Sequence, residues 1–349
     1  MNKTIIRLLN ILLAILLSSC TIGNKVVSNK KPDPIKIIFE TDIGNDVDDA
    51  LALDMLYKYI DSNKIDLLGI MINKEGEYPV NFIDIMNTWY GYPDIPIGIV
   101  RDGTNSEHDA TNYAKCVALL ENNISEPTFN SSNVDYSNVP NAHELYREIL
   151  SEQPDGSVVI VSVGFSTNLA RLLDTTADEF STLNGKELVA KKVKYLSNMA
   201  GCFNDPDMHE YNVVKDIAAA QKVFEEWPTN IITSPFEVGI QINYPATSIE
   251  NDFTWAPKHP MVEAYKCYLE MPYDRPTWDL TSVLFAIDGA SFFDISPSGN
   301  IRITDKGSSY FEIDKTGKHK YLMVDSLQAK NIKQHFINLV SKKPLNIRH

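Results

Sequence analysis

The sequence is sparing with cysteine: four in 349 residues, at positions 20, 116, 202 and 267. Beyond Cys20, the remaining odd and widely scattered set has neither zinc-ligand spacing nor the density of a disulfide scaffold. One bridge is open to them in an oxidising compartment, but the simpler expectation is three small core residues. Positive charge is also short. Lys and Arg total 32 against 46 Asp and Glu, a net charge of −14, and no basic block stands out. Binding to a nucleic-acid polymer needs a concentrated basic surface, so that class is excluded. Internal repeats and low-complexity stretches are lacking, as is any phosphate-binding G-x-x-x-x-G-K-[ST] loop. What is present is 44% hydrophobic and 22% charged, a composition that buries a sizeable core and is not disordered.

The one long apolar run, Ile5 to Leu17, is preceded or interrupted by Lys3 and Arg7 and is too short to span a bilayer comfortably. It has the form of an export signal. It ends in Leu17-Ser18-Ser19-Cys20, which resembles the bacterial lipobox, whose cysteine is lipidated and becomes the first residue of the mature protein. Residues 1–20 are therefore expected to be a lipoprotein signal peptide with Cys20 as the lipidation site. The polar, proline-ended stretch 21–34 reads as a tether. The chain would then be exported and lipid-anchored in the bacterial cell envelope, touching the membrane only through its anchor. The plainer alternative is an ordinary signal peptide with an incidental cysteine.

From residue 35 the pattern is a strand–helix alternation. Ile35–Glu40, Ile65–Ile72 and Ile95–Val100 are short apolar runs typical of buried strands, separated by helical patterns at Asp48–Ile60 and Val80–Tyr90. After a looser stretch at 101–140 the rhythm resumes. Helices are expected at 142–153, 167–174, 216–227, 261–270, 278–288 and 326–340, and strands at 157–163, 193–198 and 230–233. Between Phe292 and Val324, short alternating runs broken by Pro-Ser-Gly-Asn, Lys-Gly and Thr-Gly signal hairpins. The reading is one α/β domain, about 35–345, with an open, mostly parallel sheet flanked by helices and a small C-terminal β-hairpin appendage.

In such a sheet, ligands bind beyond the carboxyl ends of the strands. There, directly after the first strand, stands Asp42-Ile43-Gly44-Asn45-Asp46-Val47-Asp48-Asp49, with four carboxylates in eight residues. They repel one another unless a cation or protons neutralise them. Ligands that are all oxygen suit a hard ion, Ca²⁺ best and Mg²⁺ next. Helix capping and the helix dipole account for one or two of these aspartates, not for all four. The EF-hand pattern fails, because from Asp42 its glycine and glutamate positions hold Val47 and Leu53. An Asp-x-Asp phosphatase loop could start only at Asp46, beyond the strand end.

The string Ile37-Ile38-Phe39-Glu40-Thr41-Asp42-Ile43-Gly44, continued by Asp48-Asp49-Ala50-Leu51, resembles the first-strand signature Asp-Thr-Asp-Pro-Gly-x-Asp-Asp-Ala of the inosine-uridine-preferring nucleoside hydrolase family. Further matches follow in the family's order: Asn87 with Pro93-Asp94-Ile95-Pro96-Ile97-Gly98, Val163–Ala170, Glu210-Tyr211-Asn212, and Trp278-Asp279 in place of a late His-Asp. The resemblance implies a Rossmann-like nucleoside hydrolase fold and calcium-dependent hydrolysis of the N-glycosidic bond of ribonucleosides, releasing base and ribose, as in nucleoside salvage. It implies that Asp42 binds calcium and acts as general base toward the attacking water. Asp49 is the main calcium ligand, Asp279 a distant one, and the Val163 carbonyl a neutral one. Asp48, Asn212 and Glu210 hold ribose hydroxyls. Trp278 cannot act as an acid but can stack on a purine, which points toward purine nucleosides; otherwise it is a core aromatic. Family members are often dimers or tetramers, so a homo-oligomer is among the expectations.

The departures bear on substrate contacts more than on the metal cage. The acidic turn has two extra residues between Asp42 and Asp48, so Asp46 is an alternative to Asp42 in one of its roles. Glu40 replaces the first aspartate, Asn73-Lys74 stands where the family usually has Gly-Asn, and Met199–Cys202 where it has Met-Gly-Gly. The stretch before Glu210 is shortened, leaving Asn204 as the candidate for a ribose-gripping asparagine and His209 as a loop histidine. Two other functions compete: a same-fold hydrolase of another ribosyl or glycosyl compound, and a non-catalytic envelope lipoprotein that binds nucleosides or sugars.

Overall fold

Ile37, Ile38 and Phe39 are all fully buried, yet alternate side chains on a strand face opposite ways. The first strand must therefore be covered on both faces. Ile37 and Phe39 join one helical layer, with Leu51 and Val283, while Ile38 joins the other, with Leu145, Ile149 and Leu169. Such double coverage is the condition under which a parallel sheet is stable.

The structure, a computed structural model, describes residues 33–104 and 112–345. The expected signal peptide at 1–20, and the tether as far as residue 32, lie outside the described residues. Strands β1 (Ile35–Thr41), β2 (Ile65–Ile72), β3 (Ile97–Ile99), β4 (Val158–Ser162), β5 (Val193–Met199) and β6 (Asn230–Ser234) form the parallel centre. Two short strands, β7 (Asn243–Tyr244) and β8 (Arg275–Pro276), pair separately. Strands β9 (Asp294–Ile295), β10 (Gly299–Ile303), β11 (Ser309–Ile313) and β12 (His319–Met323) follow.

The helices are α1 (Asp48–Asp61), α2 (Glu77–Tyr90), α3 (Tyr113–Ala118), α4 (Ala142–Glu152), α5 (Thr167–Asp174), α6 (Gly185–Lys192), α7 (Tyr211–Lys215) and α8 (Ile217–Glu226). They continue with α9 (Phe236–Gly239), α10 (Ala246–Asn251), α11 (Pro260–Tyr268), α12 (Trp278–Asp288) and α13 (Ser326–Val340).

The sheet order is β11-β10-β12-β6-β5-β4-β1-β2-β3. The chain starts at the centre, winds outward through β2 and β3, then returns to the other side of β1 and winds outward through β4, β5 and β6. The reversal lies between β1 and β4, which pair from Lys36↔Val158 to Glu40↔Ser162. A crevice opens at such a point because the loops leaving the two strands diverge. Here those loops begin at Asp42 and Val163. Val163 N still donates to Glu40 O at 2.8 Å, holding the two exits side by side.

Two expectations are corrected. The C-terminal hairpin strands are not an appendage but widen the main sheet. Strand β12 pairs parallel with β6, from His319↔Ile231 to Tyr321↔Thr233, and β10 and β11 add antiparallel beyond it. Turn residues report a hairpin, but they do not report which free edge it joins. The cysteines are not three core residues either: Cys116 and Cys267 are bridged and only Cys202 is free and buried. Cys116 lies on α3, a helix inside the stretch expected to be loose, and the fold lays α3 against α11, where Cys267 sits. Helix α2 also begins earlier than expected, at Glu77, because Gly76 at φ +134 frees the backbone to start the turn.

The bridge spans a sequence separation of 151 residues, so it removes much freedom from the unfolded chain. Cys116→Ser is expected to lower unfolding free energy by about 2–4 kcal/mol in urea titrations without reductant. An unchanged midpoint would exclude a stabilising bridge.

Candidate functional site

The acidic turn is shaped by its own side chains. Thr41 Oγ1 accepts from Ile43 N at 3.1 Å and donates to Asp49 Oδ1, folding the turn back over the end of β1. Gly44 takes φ +114, a conformation that suits glycine. Helix α1 then starts with Asp48 and Asp49 in its first turn and no side-chain cap. Helix α12 arrives from the far end of the chain with Asp279 in its own first turn. Its Asp279 N donates to Asp48 Oδ2 at 3.1 Å. Two helix N-termini thus point their exposed N–H groups at one spot, which favours negative charge there.

One oxygen from each of Asp48, Asp49 and Asp279 lies within 4.8 Å of the others, and all three residues are buried. Asp42 is buried beside them, 4% exposed. Burial, then the charges of neighbouring carboxylates, pushes Asp48, Asp49 and Asp279 well above the usual carboxylate range. Asp42 is pushed to about 7 by burial, against the pull of Lys74. Among the described residues, Asp279 Oδ2 has no hydrogen-bond partner although it is buried. Converging carboxylates, an orphaned oxygen and an all-oxygen donor set fit a hard divalent cation.

These residues line a cavity of about 470 Å³ at the β1/β4 crevice. Its walls include Asp42, Asp46, Asp48, Asp49, Val163, Glu210, Asn212, Trp278 and Asp279, which the structure therefore brings together as the sequence suggested. The Val163 carbonyl accepts from Asn212 Nδ2 at 2.9 Å. Asn212 Nδ2 also meets Met199 O at 3.3 Å, which leaves its Oδ1 as the atom to offer a ligand. Glu210 caps α7: its oxygens accept from Asn212 N at 2.8 Å, Gly201 N at 3.0 Å and Val213 N at 3.2 Å. It thus fixes Asn212 while facing the cavity. Trp278 donates its Nε1 to Phe236 O at 3.0 Å and stacks on Phe236 with ring centroids 5.3 Å apart. Gly239 lies beneath it; a Cβ there would fall 2.3 Å from Trp278 Cδ1.

Asn204 is not brought in; it is exposed and absent from the cavity wall, because the shortened segment turns outward before Glu210. Asp46 reaches the wall, but its carboxylate is held by Arg275, through Nε at 2.7 Å and through Nη2. Its Oδ1 also lies 3.5 Å from Asp48 N, so Asp46 bridges Arg275 and the start of α1. His209 stands exposed at the rim.

Several residues were missed. Tyr268, Tyr211 and Phe236 complete an aromatic side to the cavity, and Asn45 lines its acidic side. Arg275 lies 5.1 Å from the ring centroids of both Tyr268 and Trp278. Lys74 is fully buried and donates to Asn45 Oδ1. The only signal for the last was the unusual Asn73-Lys74 after β2.

Against known proteins, the family model described as inosine-uridine preferring nucleoside hydrolase matches residues 37–335. No curated protein matches the chain. Among solved structures, a plant nucleoside hydrolase, PpNRh1, is similar at 19% identity and TM-score 0.68, over 89% of this chain and 100% of that one. A purine-preferring ribonucleoside hydrolase from Gardnerella vaginalis aligns at 16% identity and TM-score 0.67, over 88% and 98%. An inosine-uridine preferring nucleoside hydrolase from Bacillus anthracis aligns at 17% and 0.64, over 87% and 99%. At these identities the structures show a shared fold.

The electrostatics carry a pH signature. Asp42 and Glu40, ordinarily near 3.8 and 4.5, are both raised to about 7 by burial. The folded state then holds protons that the unfolded chain releases, so stability falls as pH rises from about 4 to about 7. Buried His259 and His319, held below the usual imidazole range by burial, act in the opposite direction in every condition, so the comparison of melting temperatures in chelator and in saturating divalent cation isolates the carboxylates. The cation should stabilise more as pH rises over that range, and curves that run parallel contradict the raised proton affinity of the cluster.

Proposed function

The chain belongs to the inosine-uridine preferring nucleoside hydrolase family, and on that premise we propose that it is a calcium-dependent hydrolase of ribonucleosides with a preference for purines. The observation that carries this reading is the arrival of Asp279 at Asp48 and Asp49, 231 positions after Asp48, beside the Val163 carbonyl and Asn212.

Asp49, Asp279, Asp42 and the Val163 carbonyl would hold the ion. Calcium bound there supplies positive charge that orients water and makes it more acidic. Asp42 is the general base: it lines the cavity beside the other carboxylates, where it would accept a proton from a water oriented by the ion. As the water oxygen bonds to the anomeric carbon, the carbon–nitrogen bond breaks and its electron pair leaves with the base. The proton lost by water goes to Asp42. The ribose ring gains positive charge in the transition state, and the carboxylates facing it lower that charge's energy. Asp48, with one oxygen held by Asp279 N, keeps the other for the ribose 2′-hydroxyl. Asn212, fixed through Nδ2, offers Oδ1 to a further hydroxyl.

The leaving base would sit against the aromatic side. Trp278, backed by Gly239 and Phe236, presents a ring suited to stacking on a purine, and Tyr268 and Tyr211 extend that surface. An indole cannot donate a proton as an acid, so the leaving base takes its proton from solvent or from an unassigned group.

A purified-protein assay of ribose release from a nucleoside panel tests this. Inosine and guanosine should turn over faster than uridine, and chelator should abolish turnover until calcium is restored. Asp42→Asn should reduce kcat by about 10²–10⁴-fold. Ribose release that persists in chelator would overturn calcium dependence, and calcium binding without turnover on any nucleoside would overturn the hydrolase reading.

We further propose that the chain is exported and anchored through lipidated Cys20. The bridge between Cys116 and Cys267 supports this, since disulfides persist in oxidising compartments. Expressed in a bacterium, Cys20→Ser should move from the membrane pellet to the soluble fraction. A variant that stays in the pellet after a carbonate wash would contradict lipidation.

A further inference from the structure

The acidic turn exceeds the family signature by two residues, and two side chains of its lengthened stretch, Asn45 and Asp46, line the cavity. Each is held by a cation from another part of the chain. Arg275 grips Asp46 with two nitrogens. Lys74 donates to Asn45 Oδ1.

The two cations differ in kind. Arg275 is partly exposed and its guanidinium is engaged with Asp46 outside the aspartate cluster. Lys74 is fully buried, and a buried ammonium is stable only where negative charge compensates it. Its position follows from the sheet. Lys74 comes just after β2, the strand beside β1, and Asn73 N donates to Thr41 O at 3.0 Å. The register pairs Thr41 with Ile72, so Asn73 lies level with Asp42 and Lys74 one position beyond it, beside the acidic turn. Gly44 lets the turn lie against the ammonium: a Cβ there would stand 3.4 Å from Lys74 Nζ and 3.2 Å from Ala114 Cβ. Lys74 is also the strongest favourable charge acting on Asp42. A buried positive group thus adds to the Thr41 and backbone N–H donors that partly offset repulsion in the cluster.

We propose that Lys74 is the resident counter-cation of this site: through Asn45 it holds the lengthened acidic turn in its ligating shape when no metal is bound, and its fixed charge lowers the affinity for the incoming cation. The proposal rests on the calcium reading above and adds to it. Lys74 acts on Asp42 electrostatically, and like charges in the same partly desolvated site repel strongly enough to change an equilibrium by about tenfold. The affinity cost is the counterpart of apo-state order, since Lys74 supplies a buried positive charge that offsets part of the repulsion on Asp42 when no metal is bound.

The test compares metal-stripped wild type with Lys74→Met, Lys74→Gln and Lys74→Arg, by calorimetric calcium titration and by melting in chelator. Lys74→Met and Lys74→Gln should bind calcium about tenfold more tightly and melt at a lower temperature in chelator. Excess calcium should close that gap. Lys74→Arg should stay near wild type in both, which separates charge from packing. Lys74→Gln keeps a hydrogen-bonding tip for Asn45 and so serves if Lys74→Met folds only with calcium, itself a supporting result. Calcium affinity in the uncharged variants that is unchanged or weaker overturns the proposal. If wild type gives no calcium signal but the uncharged variants do, the calcium reading fails for the native chain while the counter-cation stands. If none binds calcium, both fall.

Discussion

Everything at this site follows from burying carboxylates together. Asp42, Asp48, Asp49 and Asp279 are each at most 4% exposed, and three of them meet within 4.8 Å. A cluster of that kind is costly in a folded protein, because desolvation and mutual repulsion both oppose the charged form. The fold offsets the cost by several routes. The N-termini of α1 and α12 aim N–H groups at the cluster, Thr41 donates to Asp49, and Lys74 and Arg275 bring positive charge to the flanks. In the proposed function a bound cation would complete the compensation, in the crevice between β1 and β4 where the loops diverge.

The parts most legible in the sequence are those in which local pattern and topology say the same thing. Ile35–Thr41 reads as a strand because its residues are apolar on both faces, and it is central for the same reason. Thr167–Asp174, Trp278–Asp288 and Ser326–Val340 form helices at the limits their periodicity marks. The acidic turn announces itself by an excess of carboxylates that no cap explains. Asp279 is different. Nothing local marks it, and it was legible only because the segment around it matched a known pattern in order.

What escaped notice depends on contacts between distant segments. Cys116 and Cys267 carry no spacing signal, since their pairing is decided by how α3 lies on α11. Strand β12 shows alternation, but its parallel pairing with β6 depends on the end of β6 being an open edge. Lys74 looks like one more surface lysine until β2 is placed beside β1. Asp46 looked like a spare ligand until Arg275, far along the chain, was found holding it. Asn204 failed for the opposite reason: a shortened loop alters direction, and residue type alone does not record direction.

The clustered aspartates and the aromatic wall occupy different parts of the fold. Asp42, Asp48, Asp49 and Asp279, proposed to serve the ion and the ribose, lie at a strand exit and in first turns of helices, where backbone geometry is set by the sheet. The aromatic wall is assembled from several helices, with Tyr211 on α7, Phe236 on α9, Tyr268 at the end of α11 and Trp278 at the start of α12; Arg275 lies 5.1 Å from the rings of Tyr268 and Trp278, and Asp46 ties it back to the acidic turn. Asp46 on the acidic turn and Arg275 beside the aromatic wall are thus joined, so in the proposed function a change at either reaches the surface that would face the base, while the aspartates proposed to hold the ion sit on elements fixed by the sheet.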